Sequence, residues 1–409
     1  MDLWKNIVFS CRLFIFCLSL ATALATSVAS ELQINGFGTV GAAASDDQSG
    51  YAYDIRNKIN YYHDTKFGLN FSSRLGQKWS WASQLLVKRW VDDTFDDNKV
   101  KLDWALVSYH PWSDLSFRVG KQKLPLWLFS DYAEVGFLYP WVRPIQEVYG
   151  ITPLNTITGA SLNYIKQLGT VNFELNAVAG DSKVVEDRNG GIVLLANVKR
   201  AQLLTFSLIH ENFLLKANLG KSDAVDVTQR TGSSSYVFPQ LKYTFASLGA
   251  KVDYQTHFVW TEIVTTHVEH LSNMNGLYLS YGKKFGIFSP HITYARYWSH
   301  NYKSVRADTT TSTATTTVRV LSYVPERKNK QQSLILGLVT KITDRSNFKL
   351  EWQYIDADGY SRDTTERSTT TGGVTTTVTS HGNTKERGFF DAHPRGEVNL
   401  FSATINFIF

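Results

Sequence analysis

The chain has 409 residues, of which 43% are hydrophobic and 13% aromatic, and its formal net charge is +6. This charge is a mild excess spread along the chain, not a basic block, which argues against a nucleic-acid-binding protein. The mean hydropathy of −0.19 argues against a membrane protein built from apolar helices. Because Phe, Tyr and Trp are plentiful while Met and Pro are few, the composition favours strands that carry aromatic side chains.

Residues 1–29 have the order of a secretory signal peptide. Lys5 and Arg12 precede a short apolar core at residues 13–24, and small residues follow it. An anchor helix would need a longer apolar core, so we expect cleavage between residues 25 and 30. Both cysteines, Cys11 and Cys17, lie in this leader. The exported chain would then have no disulfide, and its stability would come from strand pairing.

The first predicted strand, residues 31–43, contains the run Gly36-Phe37-Gly38-Thr39-Val40-Gly41. This run matches the dinucleotide-binding pattern GxGxxG, which requires a helix that opens at the last glycine. Here an Ala-rich stretch and then a polar loop follow instead. We interpret the match as a chance occurrence within a glycine-rich strand.

From this point the chain repeats one pattern, in which two strands joined by a tight turn are followed by a longer polar loop. The pattern predicts about 16 strands of roughly ten residues each, an even number. Two boundaries stay open, because 192–209 could form one bent strand or two, and 236–245 could form a helix in a loop. The predicted strands are 31–43, 66–75, 78–90, 101–110, 115–121, 157–167, 171–180, 202–209, 213–220, 246–254, 258–266, 276–284, 288–298, 332–342, 348–354 and 397–409.

Apolar and polar side chains alternate along several of these strands. In residues 348–354, for example, Phe348, Leu350 and Trp352 alternate with Lys349 and Glu351. A soluble β-sandwich would give the same alternation, but here the polar face repeatedly carries Lys and Glu, as the wall of a wet channel would. We therefore predict an all-β fold, namely a transmembrane antiparallel β-barrel with long extracellular loops and short periplasmic turns. Two Thr-rich segments, 308–317 and 368–380, are expected to extend hairpins beyond the membrane.

The last predicted strand, residues 397–409, has one apolar and one polar face. Phe401, Ile405 and Phe409 lie on one parity, while Ser402 and Thr404 lie on the other. The strand resembles the closing strand of Gram-negative outer-membrane barrels, in which a terminal Phe is part of the assembly signal. This resemblance implies an outer-membrane location and the barrel-assembly machinery as a partner.

The segment between the fifth and sixth predicted strands differs from the other loops because it is long, apolar and punctuated by proline. Side chains such as Trp127, Phe129 and Trp141 require burial, which a loop folded into the barrel would provide. Here the chain resembles the Gram-negative outer-membrane porin superfamily, in which the third extracellular loop folds inward and narrows the pore. The residues that carry this resemblance are Arg118-x-Gly120-Lys121, Pro125 and the run Tyr139-Pro140-Trp141-x-Arg143-Pro144-x-x-Glu147-x-Tyr149.

The resemblance implies a 16-stranded porin spanning residues 30–409, with 122–155 as the constriction loop. It further implies passive diffusion of small hydrophilic solutes and ions, an outer membrane of lipid and lipopolysaccharide, and commonly a homotrimer. No cofactor, metal or nucleic-acid partner is expected.

A constriction selects solutes by its diameter and by the charges that line it. Arg143 and Glu147 have two interpretations that stay open: they contact solute, or they form a structural pair that pins the loop to the wall. Because the polar parity of the wall carries several lysines, we expect a modest anion preference, with Arg118 as the main selectivity residue. The candidate pore-lining residues are Arg118, Asp131, Glu134, Arg143, Glu147, Glu174, Lys216, Lys251, Lys349 and Glu351.

Two other classes of function compete with a pore. A structural or adhesive barrel would have identical strands, but it would not need an apolar loop inside. An outer-membrane hydrolase would need a nucleophile, a base and an orienting group in contact. His267-Val268-Glu269-His270 resembles a metal motif, but the pattern HExxH requires helical spacing, and residues three apart on a strand face opposite sides. We therefore expect no enzyme activity.

Overall fold

The structure, a computed structural model, describes residues 32–409 except 53–54, 90–97, 153, 189–191, 232–233, 270–271, 301–304, 314, 324–325, 373, 386–387, 391–393 and 395. The leader predicted for residues 1–29 lies outside the described residues. Among the described residues, no helix has the length and apolar character needed to cross a membrane.

The strands follow one another around a single antiparallel sheet. In chain order they are β1 (Gln33–Ser45), β2 (Lys66–Leu75), β3 (Trp79–Arg89), β4 (Asn98–Trp112), β5 (Leu115–Lys123), β6 (Thr156–Leu168), β7 (Val171–Arg188), β8 (Ile192–His210), β9 (Phe213–Thr231), β10 (Ser234–Tyr254), β11 (His257–Val268), β12 (Ser272–Lys283), β13 (Phe288–His300), β14 (Val305–Ser312), β15 (Thr316–Tyr323), β16 (Glu326–Thr343), β17 (Ser346–Thr371), β18 (Val374–Lys385) and β19 (Val398–Ile408). Since β1 pairs with both β2 and β19, the sheet closes into a barrel.

Sixteen strands form the closed wall. β13 pairs directly with β16, β16 with β17, and β17 with β19. The remaining strands, β14, β15 and β18, extend hairpins beyond the wall and contain most of the two Thr-rich segments. The predicted all-β fold and its number of strands are thereby confirmed.

The two open boundaries are resolved in favour of strands. β8 is one continuous strand whose pairing with β7 shifts register between Gly180 and Ser182, where an irregularity bends it. The possibility of a loop helix at 236–245 is wrong, because this stretch belongs to β10, which pairs with β9 through two further register shifts. The GxGxxG run lies within β1, with no helix after it.

The wall has an apolar outer face and an inner face that carries most of the charge. In β19, the outward side chains of Phe401 and Ile405 are 59% and 47% exposed, whereas Thr404 and Asn406 are 1% and 0% exposed. Thr39 of β1 donates a hydrogen bond of 2.8 Å to the buried Asn406 side chain across the closing pair of strands. The parity predicted for the last strand is therefore the observed one.

Two glycines of β1 shape the outer side of this closing pair. A Cβ atom at Gly36 would lie 2.2 Å from Cζ of Phe409, and one at Gly38 would lie 2.2 Å from Cζ of Phe407. Their missing side chains allow the rings to lie flat over β1, where Phe409 also stacks on Phe67 with centroids 5.9 Å apart. The aromatic end of the chain thus packs onto the first two strands.

Candidate functional site

Residues 124–155, which we call the internal loop, cross the inside of the barrel. The loop contains two 3-10 turns, Ser130–Tyr132 and Gly136–Leu138, and one short helix, α1 (Gln146–Tyr149). Its first part is held by the inner face of the wall, since the carbonyl oxygen of Leu126 accepts hydrogen bonds from Asn218 and Ser247 at 3.1 and 2.8 Å. The loop therefore fills part of the lumen.

The loop packs against the wall through an aromatic core inside the barrel. The Trp141 ring, 1% exposed, meets the rings of Trp260 and Tyr278 edge-on, with centroid distances of 5.7 and 5.1 Å. Its indole N–H donates to the Thr293 hydroxyl at 2.9 Å. Phe129 also lies against Trp260, with ring centroids 5.1 Å apart. Such packing fixes the loop, because removal of its aromatic side chains from the wall would expose them to the water of the lumen.

Lys349 of β17 holds the middle of the loop. Its ammonium Nζ donates hydrogen bonds to the carbonyl oxygens of Gly136, Tyr139 and Trp141 at 2.5, 2.6 and 2.6 Å. The same ammonium lies 4.6 Å from the centroid of the Tyr139 ring. Three backbone acceptors and a ring face surround this one cation, so it binds the loop.

Two buried carboxylates of the wall bind backbone N–H groups of the loop. Glu351 of β17 accepts from the N–H of Val142 at 3.0 Å. Glu262 of β11 accepts from the N–H of Leu128 at 2.9 Å and from the Tyr149 hydroxyl at 3.2 Å. At successive points along the loop, the wall thus supplies a cation for the carbonyl oxygens and carboxylates for the N–H groups.

Arg143 and Glu147 also join the loop to its surroundings, but not to each other. Arg143 forms a bidentate ion pair with Asp64, with Nε–Oδ1 and Nη2–Oδ2 distances of 3.0 and 2.7 Å, and donates to Ser402 at 2.8 Å. Glu147 is 0% exposed and accepts from Gln331 at 2.7 Å and from Ser333. Burial raises the pKa of the Glu147 carboxyl above its ordinary value, and the two hydrogen bonds oppose that rise.

The expected placement of four candidate residues therefore needs correction. These residues are buried between loop and wall, where they form hydrogen bonds or ion pairs with groups of the protein instead of lining a pore. They are Arg143, Glu147, Lys349 and Glu351. Of the two open interpretations of Arg143 and Glu147, the structure agrees with the one in which they pin the loop to its surroundings. They do so through separate partners and not as a pair, because the partner of Arg143 is Asp64. Sequence patterns could not reveal Asp64, which lies in the polar segment before β2.

Glu134 lies at the edge of the loop between two lysines of the wall. Its Oε1 is 2.6 Å from Nζ of Lys88, and its Oε2 is 3.2 Å from Nζ of Lys66. Burial alone would raise the pKa of this carboxyl, but the two ammonium groups hold the pKa well below its ordinary value of 4.5. Glu134 is consequently ionised at neutral pH and links the loop to β2 and β3.

This shift predicts how the loop edge responds to acid. Because the pKa of Glu134 in the folded protein is lowered, its ion pairs stabilise the loop fully above pH 4.5 and are lost as the pH falls through the folded-state pKa. We expect single-channel conductance to be constant from about pH 7 to about pH 5 and to change only in stronger acid. In Glu134→Gln this change of conductance in acid should disappear, whereas Glu211→Gln, in an exposed turn, should retain it. An acid step that persists in Glu134→Gln would contradict this role.

Four of the remaining candidates surround one cavity beside the loop. The cavity has a volume of about 230 Å³, and Arg118, Asp131, Glu174 and Lys216 are among its lining residues. Lys216 Nζ lies 3.6 Å from Oδ2 of Asp131, which joins wall and loop across the cavity. Among the described residues, neither Arg118 nor Glu174 has an ion-pair partner. Their part in selecting solutes stays a prediction.

Lys251 lies away from this cavity. Its Nζ is 3.1 Å from Oδ2 of Asp253 and 4.8 Å from the centroid of the Trp260 ring, near the short turn after β10. The charge is therefore largely balanced within its own strand.

Gly276 of β12 permits the close approach of helix α1. A Cβ atom there would lie 2.1 Å from the carbonyl oxygen of Glu147, which is backbone and cannot rotate away. We expect Gly276→Ala to displace the loop and to lower the free energy of unfolding by about 1–3 kcal/mol, the usual cost of overpacking. Gly220→Ala is the matched control, since its nearest neighbour is the movable end of the Leu203 side chain at 3.0 Å. Urea unfolding in detergent, followed by tryptophan fluorescence, measures both variants, and equal midpoints would refute the close contact.

No group of His, Cys, Asp and Glu side chains suited to a metal ion is present among the described residues. His267 and Val268 end β11, and Glu269 follows the strand, whereas His270 lies outside the described residues.

Comparison with solved structures gives several barrels of similar fold. The chain is similar to a loop L8 deletion mutant of OmpT, an outer membrane protein of Vibrio cholerae, with TM-score 0.54, 8% identity, and 93% of this chain and 100% of that chain covered. The outer membrane channel DcaP of Acinetobacter baumannii is similar with TM-score 0.52 and 10% identity, and the match covers 94% of this chain and 99% of that chain. The anion-selective porin from Comamonas acidovorans is similar with TM-score 0.50 and 12% identity, and the match covers 93% of this chain and 100% of that chain. OmpT is also known in a trimer form, with TM-score 0.52 and 9% identity to this chain, covering 93% of this chain and 100% of that chain.

No protein-family model matches the sequence, and a search of curated proteins gives no match. At these low identities the structural likenesses show the fold alone. They establish the class: the chain has the fold of a Gram-negative outer-membrane porin, a closed barrel of sixteen antiparallel strands.

Proposed function

We propose that this protein is an outer-membrane porin, which provides a water-filled channel for passive diffusion of small hydrophilic solutes and ions. The observation that carries the proposal is the charged cavity beside the internal loop, within a barrel whose outer face is apolar. The loop narrows the lumen and leaves this cavity between itself and strands β4 to β9, which would provide the path for solutes. A polar path of this kind conducts solutes smaller than its narrowest part.

A modest anion preference follows from the charges around this path. At the cavity and the adjoining edge of the loop, five cationic side chains face four carboxylates, so cations exceed anions by one. Only Arg118 among these cations has no carboxylate partner within the described residues. The cations are Lys66, Lys88, Arg118, Lys123 and Lys216, and the carboxylates are Asp103, Asp131, Glu134 and Glu174.

The test is conductance of the purified protein in planar bilayers, with reversal potentials measured in a KCl gradient. We expect discrete channels with a mild anion preference, and we expect Arg118→Ala to remove that preference. Lys341→Ala is the control, because Lys341 is exposed and pairs with Asp344 at a turn. Clear cation selectivity of the wild type would refute the preference, and the absence of channels would refute the porin function itself.

The competing proposals are a structural or adhesive barrel and, with less support, a hydrolase. The internal loop favours a channel over a scaffold, since a scaffold would not require a charged path beside an anchored loop. We propose that the protein is not an enzyme, and hydrolysis of phospholipid by the purified protein would contradict this.

We further propose that the protein is exported to the outer membrane and assembles there as a homotrimer. The known trimer form of OmpT and the shared fold support this assembly. Lipid and lipopolysaccharide would surround the apolar outer face, and Phe409 at the end of the closing strand would present the signal for the barrel-assembly machinery.

A further inference from the structure

The outer face of the barrel carries a groove across β5–β11. Its volume is about 880 Å³, within the range of roughly 300–1,000 Å³ typical of ligand pockets. Larger apolar side chains surround a shallow floor of alanines, and the whole groove faces away from the lumen. Its outward-facing apolar lining consists of Phe117, Leu162, Leu204 and Leu219 around Ala160, Ala177, Ala179 and Ala246.

One edge of this groove is a polar row on four adjacent strands. Gln202 pairs with Lys221, Lys221 with Thr244, and Thr244 with His267, so the four side chains lie side by side on the outer face. All four line the groove. Two residues closer to the short turns, the next row of side chains on the outer face is mainly apolar. It consists of Leu204, Leu219, Ala246 and Thr265 in register.

On the other side of the polar row the surface is charged, and it contains two ion pairs. Arg200 lies 3.2 Å from Asp223, and Lys242 lies 3.4 Å from Glu269; apart from Glu269, which is half-buried, these side chains are exposed. The outer face thus changes from an apolar row to a polar row and then to a charged row. Such a sequence of levels marks the boundary between hydrocarbon and lipid headgroups. The groove lies at the end of the barrel from which the internal loop departs, which is the outer-leaflet end when long loops face outward.

Lys221 is the exposed cation at this boundary. Beyond it, Arg200 pairs with Asp223 and Lys242 pairs with Glu269, and among the described residues Lys221 has no ion-pair partner. The Gln202 amide and the Thr244 hydroxyl flank it and offer hydrogen-bond donors. A cation and two donors at headgroup level, directly above an apolar groove, complement a phosphate with acyl chains attached.

We propose that this groove binds one acidic phospholipid. The acyl chains occupy the alanine-floored groove, and the phosphate binds Lys221 between Gln202 and Thr244. The proposal concerns the outer face and does not depend on conduction through the lumen.

Native mass spectrometry of the full chain released from detergent tests the site. The probes are dimyristoyl phosphatidylglycerol and dimyristoylglycerol, which share acyl chains and differ in the phosphate. We expect one phosphatidylglycerol to be retained, and Lys221→Gln to weaken its binding by about five-fold, the usual contribution of one Lys at a membrane surface. The double variant Ala177→Leu with Ala246→Leu fills the groove and should also reduce binding. The controls are two variants of β10, the strand that carries Thr244 and Ala246. Lys242→Gln removes a cation beyond the polar row, and Ala250→Leu adds bulk on the outer face away from the groove.

Each other outcome would overturn the proposal. Equal retention of phosphatidylglycerol by wild type, Lys221→Gln and the filled groove would indicate ordinary surrounding lipid. Equal retention of dimyristoylglycerol would show that the phosphate does not contribute to binding. A change in the number of copies per particle, without a change in lipid, would make this face an interface between subunits.

Discussion

Replacement of Lys349 by methionine is expected to release the internal loop from the wall. Methionine keeps the approximate length of the side chain but removes the ammonium group that binds the carbonyl oxygens of Gly136, Tyr139 and Trp141. Each buried carbonyl left without a partner costs about 1–3 kcal/mol. Because these three acceptors all belong to the loop, the cost destabilises its docked position more than it destabilises the barrel.

Two measurements report the release. If the protein is a channel, single-channel conductance of Lys349→Met should rise by roughly two-fold with increased open-channel noise, since the lumen of a sixteen-stranded barrel is wide without a folded loop. Tryptophan fluorescence should also shift to the red as Trp127 and Trp141 meet water, and this change does not require conduction.

Lys251→Met is the matched control for this prediction. Lys251 also faces inward, but it contacts Asp253 and Trp260, and among the described residues no hydrogen bond or ion pair joins it to the loop. We expect its conductance and fluorescence to stay close to those of the wild type. Equal effects in the two variants, or none in Lys349→Met, would show that the three carbonyl contacts do not hold the loop.

The barrel itself could be predicted from the sequence because lipid imposes a simple rule on it. A strand in a membrane wall alternates between hydrocarbon and lumen, so β2, β17 and β19 are recognisable from the period of their side chains. The rule fails where strands continue past the membrane, as β8 and β10 do, because a hairpin in water has no need of one apolar face. The apolar composition of the internal loop likewise predicted its burial.

The contacts of the internal loop could not be predicted from the same rule. On β11 and β12 the inward parity carries Phe258, Trp260 and Tyr278, since the loop provides an apolar surface inside the barrel. Apolar side chains there face both ways, and the alternation disappears. Polar parity also cannot distinguish Lys349, which is bound by loop carbonyls, from Arg118, which lies at the cavity. That distinction depends on where the loop crosses, and the sequence contains no signal for the crossing point.

The ion pair of Arg143 and Asp64 carries the largest expected effect on stability. Both side chains are almost fully buried, and Arg143 also donates to Ser402 of β19. The pair therefore connects the internal loop, the segment before β2 and the last strand of the wall. Removal of one partner from a buried pair leaves an uncompensated charge, which typically costs about 3–5 kcal/mol.

We expect Arg143→Met to lower the free energy of unfolding by about 3–5 kcal/mol, because it leaves the Asp64 carboxylate buried without its partner. The double variant Arg143→Met with Asp64→Leu should recover most of this loss, since an apolar pair of similar volume needs no compensation. The fraction of folded protein in urea, read from the mobility of unheated samples on detergent gels, gives these energies. The exposed pair of Arg200 and Asp223 provides the control, and Arg200→Met should change stability by no more than about 1 kcal/mol. A double variant as unstable as Arg143→Met would show that the guanidinium acts through Ser402 and packing instead of through the charge of Asp64.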